Sequence, residues 1–342
     1  MELEYSNTQA EHDVIRSACG LVDYRGLGLF RVSGRDDQAF VGGVITRNVD
    51  FLLEGQASSA LLLRENGTVL AEVLVYRTED SFLLEVPSTQ AARAWTHLHT
   101  HSDHYDELFI ADVSDDFAAY GLEGPRSFRV IQGVLPFPVS SMSYMSFVPV
   151  DMPGSRDSTM LVSRTGITGE YGYKLHVPVE QSAAVRDQLV AAGATPVGLA
   201  ALRIARMEAR FADLDTEVGT APLTPFDLGI QWMVSFDDHE FVGRVGLLDY
   251  WQSDPTLRPV CWRAEGQVVP EPGADVFIDG DPVGVVGFAV HSPRLNAVIG
   301  TARLQSSVAA VGVELQVGSG RVPGQTTSAP FLIPTSFGVT LE

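Results

Sequence analysis

The amino-acid sequence predicts an α+β fold that is followed by a small β-barrel, and three patterns lead to this prediction. Three strand-type segments follow one another between residues 58 and 86 and lead into a helical segment, an order typical of α+β proteins rather than of a parallel sheet with alternating helices. Val260 to Val317 is rich in Val, Gly and Pro in short alternating runs, which indicates a barrel or sandwich. The proline-bounded segment 255–259 separates the two parts. We therefore expect a first region over residues 1–254 and a C-terminal β-barrel over residues 255–342.

The first half of the chain carries a predicted β-meander between helices. Alternating apolar residues on both sides of the turn-forming segment 65–68 (ENGT) predict a hairpin. The strands are expected at Gly28–Gly34, Ser58–Arg64, Val69–Arg77 and Ser81–Val86, and helices at Thr8–Cys19, Asp36–Val41 and Ser88–His101.

The second half of the first region continues with strands and two helices. Phe109–Gly121 is predicted as one strand with polar residues near its middle, and residues 165–169 (TGITG) form a loop between two further strands. Those strands are expected at Thr159–Arg164 and Tyr171–Val177, and the helices at Val179–Ala192 and Gly198–Arg210.

Composition restricts the possible partners. The 342 residues include 43 acidic and 23 basic side chains and carry a formal net charge of −20, which disfavours nucleic acid as a partner. No apolar run approaches the roughly 20 residues of a membrane span, and the N-terminus lacks a basic and apolar leader pattern. Cys19 and Cys261 cannot form a disulfide framework. We expect a cytoplasmic protein without membrane or nucleic-acid partners.

A histidine-rich stretch invites a metal interpretation. His97 and His101 are four residues apart, so a helix would place both on one face, and His99 and His104 lie nearby. The sequence offers no second cluster that would complete a site. We therefore predict no metal.

Three motifs carry a resemblance to a known family. Residues 163–173 read SRTGITGEYGY, residues 206–209 read RMEA, and residues 224–234 read TPFDLGIQWMV, followed by FVGR at 241–244. They resemble the R-T-G-Y-T-G-E-D-G-F-E, R-L-E-A-G, T-P-x-E-A-G-L-G-W-x-V and F-I-G-R segments of the glycine cleavage T-protein family, which are aminomethyltransferases. The similarity extends from about Gly20 to about Leu304.

The resemblance implies a fold, a cofactor and its binding residues. The family fold is a three-part disc, with two intertwined folate-binding α+β subdomains and a C-terminal β-barrel around a central channel for tetrahydrofolate. By this resemblance Glu170 hydrogen-bonds the pterin end of the folate and Arg206 lies near it. Trp232 is expected to form a stacking wall for the aromatic parts of the cofactor.

One departure from the family pattern concerns the catalytic carboxylate. The family hairpin reads G-G-I-x-D-D, and its first Asp is held to assist one-carbon transfer, whereas residues 67–72 read GTVLAE. Ala71 takes the place of that Asp, and an alanine cannot move a proton. Glu72 points to the opposite strand face unless the register slips by one residue. Ile167, Lys174 and Arg210 also differ from the family.

These departures favour a particular prediction of activity. We expect a tetrahydrofolate-dependent methyl or other one-carbon transferase, or a demethylase, that acts on a small-molecule donor, with Tyr24, Asp23 and Glu72 at the substrate end. The alternative is an aminomethyltransferase of a glycine-cleavage-type system that acts on a lipoyl carrier protein. A second alternative is a folate-binding protein without turnover.

Overall fold

The structure is a computed structural model that describes residues 2–152, 158–219, 221–237 and 239–341. These residues form two mixed layers of sheet and helix and a closed six-stranded barrel. The predicted α+β class with a C-terminal β-barrel is therefore confirmed.

The helices and strands of the described residues are numbered in chain order. The helices are α1 (Thr8–Ser17), α2 (Asp37–Val44), α3 (Ser88–Thr100), α4 (Ser127–Gln132), α5 (Ser182–Ala191), α6 (Leu199–Ala209), α7 (Leu214–Glu217), α8 (Pro225–Leu228) and α9 (Arg244–Gln252). The strands are β1 (Gly20–Asp23), β2 (Gly28–Ser33), β3 (Ala57–Leu63), β4 (Val69–Arg77), β5 (Ser81–Val86), β6 (Phe109–Asp112), β7 (Phe117–Glu123), β8 (Phe147–Asp151), β9 (Thr159–Ser163), β10 (Gly172–Pro178), β11 (Thr195–Pro196), β12 (Leu257–Glu265), β13 (Asp275–Ile278), β14 (Asp281–Ser292), β15 (Ala297–Gln305), β16 (Glu314–Val317) and β17 (Val322–Thr327).

The first sheet has the order β3-β4-β5-β2-β6 and is packed against α2 and α3. One face of this sheet supplies a core that includes Phe30, Val73 and Phe82, joined by Phe40 of α2 and Leu98 of α3. The predicted hairpin of β3 and β4 is present, and its pairing shifts register between Leu62 and Leu63.

The second sheet has the order β11-β1-β7-β10-β9-β8. The chain therefore starts in this sheet with β1, builds the first sheet with β2 to β6, and returns to the second sheet with β7. This path intertwines the two subdomains. Helices α1 and α6 pack on each other and bury Ile15, Ala201 and Leu202 against the strand residue Val22.

One predicted strand was wrong because the chain crosses from the first sheet to the second sheet within it. The expected continuous strand Phe109–Gly121 is divided into β6 and β7 by a 3-10 turn at Ser114–Asp116. The hydroxyl of Ser114 donates to Asp112 and accepts from the backbone N–H of Leu29 at 2.9 Å, which fixes the bend. Three consecutive polar residues support a turn more readily than a buried strand.

The barrel is closed in the order β12-β15-β14-β13-β16-β17 around a core that contains Trp262. Beyond β17 the chain leaves the barrel and returns to the first region, where the N–H of Phe331 donates to the carbonyl of Glu208 at 2.8 Å. The last residues thus tie the barrel to helix α6. Across the described ranges, none of the helices has the length and apolar character that crossing a membrane requires.

Candidate functional site

Charged side chains from both sheets and from α6 meet in the interior of the first region. We call this group the inner polar cluster. Its contacts are direct: the Lys174 ammonium donates to Glu85 and lies 4.8 Å from the ring centroid of Tyr24, and Arg206 pairs with Glu72. Its members are Tyr24, which directly follows β1, Glu72 of β4, Glu85 of β5, Glu123 of β7, Lys174 of β10 and Arg206 of α6.

A β-bulge decides which residue of β4 faces the cluster. The register shift in the hairpin leaves Leu70 without a direct partner, so Ala71 packs into the core with no exposed surface and Glu72 takes the opposite face. The Glu72 carboxylate lies 3.5 Å from Nη2 of Arg206, and its backbone N–H donates to Gln90 at 2.8 Å. A carboxylate therefore faces the cluster although Ala71 takes the place of the family Asp.

The environment of Glu72 tunes its acidity to neutral pH. Burial is the main cause that raises the pKa of Glu72 from 4.5 to about 7, with Arg206 opposing and Asp213 adding to the rise. The side chain keeps 24% of its surface accessible, so solvent-sized groups reach it. A carboxyl group with this pKa can both accept and release a proton near pH 7.

Two buried polar atoms in the cluster lack partners. Among the described residues, neither the hydroxyl of Tyr24 nor Nε of Arg206 has a hydrogen-bond partner. Burial, with the negative charge of Glu123, raises the pKa of Tyr24 well above its ordinary value, so the phenol stays protonated and can donate. Unpaired buried donors are costly unless a ligand satisfies them.

Glu85 is the ionised centre of the cluster. Glu85 accepts a hydrogen bond from Lys174 and another, at 2.9 Å, from the hydroxyl of Tyr76. Nε2 of His176 lies 2.9 Å from Oε2 of Glu85. Burial opposes ionisation, but Lys174 and His176 outweigh it and lower the pKa of Glu85 to about 2. The charge of Lys174 is thereby balanced inside the protein.

Glu123 shapes the glycine-containing loop. It accepts from Oγ1 of Thr168 at 2.7 Å and from the N–H of Ile167 at 3.1 Å. A Cβ atom on Gly172 would lie 2.7 Å from its carboxylate, so only glycine fits there. Burial raises the pKa of Glu123 to about 7, although the hydrogen bonds from Thr168 and Ile167 oppose the rise.

The structure places Glu170 away from the cluster. Its carboxylate accepts from the N–H groups of Thr335 and Ser336 at 3.1 and 2.8 Å and from the Ser336 hydroxyl at 2.7 Å, and Arg16 lies 3.2 Å away. Glu170 is the residue for which the sequence predicts pterin binding. With four donors already in place, these contacts favour a role in holding the C-terminal tail.

The same Arg16 links Glu170 to the rear face of α6. It donates through Nε to Glu208 at 2.7 Å, and His12 and Ser292 of the barrel bind that carboxylate too. Glu208 therefore lies on a different helix face from Arg206, as the two-residue spacing predicts. This buried network joins α1, α6, the barrel and the tail.

The other predicted site residues lie outside the cluster. Asp23, the last residue of β1, accepts from Nε of the exposed Arg25 at 2.8 Å. Trp232 lies on a 3-10 turn with 53% of its surface exposed, and within the described chain it forms no aromatic pair. Of the six predicted residues, the structure brings together Tyr24, Glu72 and Arg206.

Sequence reasoning did not select Glu85, Glu123 and His176, and it noted Lys174 only as a departure from the family. A usable sequence signal exists for Glu85, Lys174 and His176, because they interrupt the apolar residues of β5 and β10, whereas Glu123 ends β7. A charge within a buried strand needs a partner.

The histidine-rich stretch lies at the end of α3. His97 is buried beside His101, with ring centroids 4.6 Å apart. Within the described ranges no group of three or more metal-ligating side chains is arranged around a common point.

Comparison with known proteins defines the class. The GCVT N-terminal domain matches residues 2–238, and the glycine cleavage T-protein C-terminal barrel domain matches residues 258–332. The chain therefore belongs to the glycine cleavage T-protein family, and the predicted resemblance is confirmed. It is a folate-dependent transferase, and the family uses tetrahydrofolate as cosubstrate.

Individual relatives agree with this assignment. The aminomethyltransferase of Geobacillus kaustophilus is 32% identical over 326 residues, which cover 93% of this chain and 87% of that protein. The aminomethyltransferase of Halothermothrix orenii is 27% identical over 341 residues, which cover 97% of this chain and 93% of that protein. The crystal structure of glycine cleavage system aminomethyltransferase T from Bartonella henselae has the same fold, with a TM-score of 0.87 and 22% sequence identity. The match covers 97% of this chain and 91% of that chain. These relatives support the alternative prediction, an aminomethyltransferase, better than methyl transfer.

Proposed function

We propose that this protein is an aminomethyltransferase, which takes the one-carbon unit of an aminomethyl group carried on the lipoyl arm of a carrier protein and delivers it to tetrahydrofolate. The observation that carries the proposal is the placement of Glu72 beside Arg206 in the inner polar cluster. The missing family Asp at Ala71 was the argument against this activity, and the β-bulge weakens that argument by providing a carboxylate one residue later.

The donor and acceptor groups of the cluster match a heterocycle rich in hydrogen-bonding groups. The Tyr24 hydroxyl and Nε of Arg206 are buried donors without partners in the described chain, and Glu72 is an acceptor between sheet and helix. Tetrahydrofolate presents both donors and acceptors, so it can satisfy these groups. When bound, it supplies two nitrogens that take up the carbon and release two protons, which match the protons that the departing ammonia and lipoyl thiol gain.

Glu72 is the residue that we assign to proton transfer. Its pKa of about 7 lets the carboxylate accept a proton and return it to a departing group near neutral pH. Arg206 keeps a fraction of Glu72 ionised and fixes its orientation. Tyr24 stays protonated and acts as a hydrogen-bond donor that orients the cofactor, since positioning contributes much of the rate in such transfers.

Methyl transfer from a small molecule stays as the second candidate. Lys174 favours it, because the family carries a Glu at this position and a buried cation next to Tyr24 alters the substrate end of the site. The neutralisation of Lys174 by Glu85 weakens this argument.

Product analysis separates the two candidates. The protein is incubated with tetrahydrofolate and an aminomethyl-loaded lipoyl carrier protein, or with small methylated amines, ethers and thioethers in its place. We expect methylene-tetrahydrofolate and an equal amount of ammonia with the carrier. Formation of 5-methyl-tetrahydrofolate from a methyl donor, without reaction of the carrier, would replace this proposal by the second candidate.

A further inference from the structure

The backbone of Glu72 is held by a side chain from α3. The residues of β4 that pair with β5 are Leu74 to Arg77, so Glu72 lies before the part of its strand that runs alongside β5. Its backbone N–H donates to Oε1 of Gln90 at 2.8 Å. Gln90 has no exposed surface and lies four residues beyond the end of β5. A buried side-chain acceptor therefore satisfies this N–H at the point where the site carboxylate is attached.

Asp215 fixes the orientation of the Gln90 amide. Nε2 of Gln90 donates to Oδ1 of Asp215 at 2.9 Å, and the hydroxyl of Thr89 donates to Oδ2 of Asp215 at 2.5 Å. An amide side chain can present its oxygen or its nitrogen to either side, but a carboxylate only accepts hydrogen bonds. Asp215 therefore draws the amide nitrogen toward itself and turns the amide oxygen toward the N–H of Glu72.

Asp215 is held in turn by the start of α7 and by α6. Its backbone N–H donates to Oδ1 of Asp213 at 3.2 Å, and Oδ2 of Asp213 accepts from Nε of Arg203 on α6 at 3.1 Å. A chain of contacts thus runs from α6 through α7 and α3 to the backbone of Glu72. Because α6 also carries Arg206, one helix fixes both partners of the pair between Glu72 and Arg206.

The charge of Asp215 acts on Glu72 as well as its hydrogen bonds. A negative charge nearby disfavours ionisation of a carboxyl group. Burial contributes most to the raised pKa of Glu72, the charges of Asp213 and Asp215 add to the rise, and Arg206 and Lys174 oppose it. The charged and titratable groups around Glu72 are thus Arg206 on α6, Lys174 on β10, Asp213 and Asp215 at α7, and Tyr24 after β1.

We infer that Asp215 is a positioning residue for the proposed reaction, and that it acts through Gln90 to hold Glu72 where its carboxylate meets Arg206. The inference rests on the assignment of Glu72 to proton transfer under the proposed function. The hydrogen bonds of Gln90 and Asp215 go to protein groups, and their role is to place the carboxylate. A proton-transfer group has to stay within hydrogen-bond reach of the reacting atoms, so a small displacement of this backbone lowers the rate.

Exchanging donor and acceptor between the two side chains tests the positioning role. Gln90→Glu keeps an acceptor for the N–H of Glu72 but sets two carboxylates against each other, whereas Gln90→Glu/Asp215→Asn restores a donor and an acceptor at that contact. With tetrahydrofolate and the aminomethyl-loaded carrier, we expect Gln90→Glu to lower kcat about tenfold and to change KM for tetrahydrofolate less than about twofold. The double variant should recover most of the lost kcat. Asp103→Asn, at an exposed position after α3, is the matched control and should behave as the wild type.

A carboxyl titration follows the same contact without turnover. Carbon-13 NMR of protein with labelled glutamate carboxyl groups reports the titration midpoint of Glu72, whose signal is identified by its absence from Glu72→Gln. We expect a midpoint near pH 7 in the wild type and in Asp103→Asn. In Asp215→Asn the midpoint should lie about half a pH unit lower, because one like charge has been removed, and the acidic limb of the kcat/KM profile should move in the same direction.

Three results would overturn the inference while leaving the proposed function intact. They are a wild-type kcat in Gln90→Glu, a double variant as slow as Gln90→Glu, and an unmoved Glu72 midpoint in Asp215→Asn. Thermal melting monitors the fold of every variant, and Asp215→Ala, which removes both acceptors, replaces Gln90→Glu if the latter does not fold, with the same expected fall in kcat. A folded wild type that releases no ammonia from the carrier would refute the proposed function, and the carboxyl titration would still decide whether Asp215 acts on Glu72.

Discussion

Replacing Glu72 with Gln is expected to lower activity and raise stability at the same time. The carboxyl of Glu72 has a pKa of about 7 in the folded protein, against an ordinary value of 4.5. Each pKa unit corresponds to about 1.4 kcal/mol, so keeping Glu72 ionised costs the folded state up to about 3 kcal/mol. With 24% of the side chain exposed, solvent screening reduces this figure to about 1–3 kcal/mol.

The pH dependence follows from the sign of this shift. Because the pKa of Glu72 is raised on folding, its favourable contribution is complete below pH 4.5 and is lost as the pH rises through about 7. Urea unfolding should therefore show Glu72→Gln more stable than the wild type at pH 8 and nearly equal to it at pH 4.5. Over the same range kcat/KM of the wild type should rise as the pH passes about 7. The kcat/KM of Glu72→Gln should be about 10²–10⁴-fold lower than that of the wild type.

Glu85→Gln is the matched control with the opposite sign. Its pKa of about 2 means that Glu85 stabilises the fold above pH 4.5 and that this contribution is lost as the pH falls through 2. Removing it leaves Lys174 buried without its partner, which costs about 3–5 kcal/mol at neutral pH. The reasoning about Glu72 is refuted if Glu72→Gln is destabilised in the same way as Glu85→Gln, or if it keeps full turnover.

Three further variants test other parts of the account. Tyr24→Phe removes a hydroxyl without a partner in the described chain, so thermal melting should show little change in Tm while the Kd for tetrahydrofolate rises about tenfold; a normal Kd would remove Tyr24 from the site. Glu170→Ala breaks a buried pair with Arg16 and should lower the free energy of unfolding by about 3 kcal/mol with less than about a threefold change in folate Kd; abolished binding in a folded variant would support its predicted pterin role instead. Arg206→Gln removes a charge that lowers the pKa of Glu72, so the acidic limb of the kcat/KM profile should move to higher pH; an unmoved limb would show that Glu72 does not control it.

Local patterns were enough to predict much of the fold. The hairpin strand Val69–Arg77 and the strand Ser81–Val86 have the predicted bounds, because alternating apolar residues and turn residues specify them locally. The C-terminal barrel was predicted from the Val, Gly and Pro content and the short alternating runs of residues 260–317. The division of the predicted strand at Ser114–Asp116 was missed although three consecutive polar residues are a local turn signal, because the hydrogen bond to Leu29 that fixes the bend is distant in the chain.

The candidate site was less predictable because long-range contacts determine it. Which of Ala71 and Glu72 faces the site depends on a one-residue bulge, and strand periodicity alone cannot locate a bulge. Glu170 belongs to a motif that the sequence shows clearly, yet its hydrogen-bond donors Thr335 and Ser336 lie about 165 positions further along the chain, in the C-terminal tail. A charged residue within an apolar strand is a local signal, but the pattern does not identify its partner, because Glu85 and Lys174 come together only through the intertwined sheets.

The most direct test of the central claim is single-turnover ammonia release from an aminomethyl-loaded lipoyl carrier protein, measured with and without tetrahydrofolate for the wild type and Glu72→Gln. Fast release by the wild type that requires tetrahydrofolate, with a loss of about 10²-fold or more in Glu72→Gln, is the predicted result. Equal rates for the two proteins, or no release from the wild type, would contradict the assignment of the inner polar cluster as an aminomethyltransferase site.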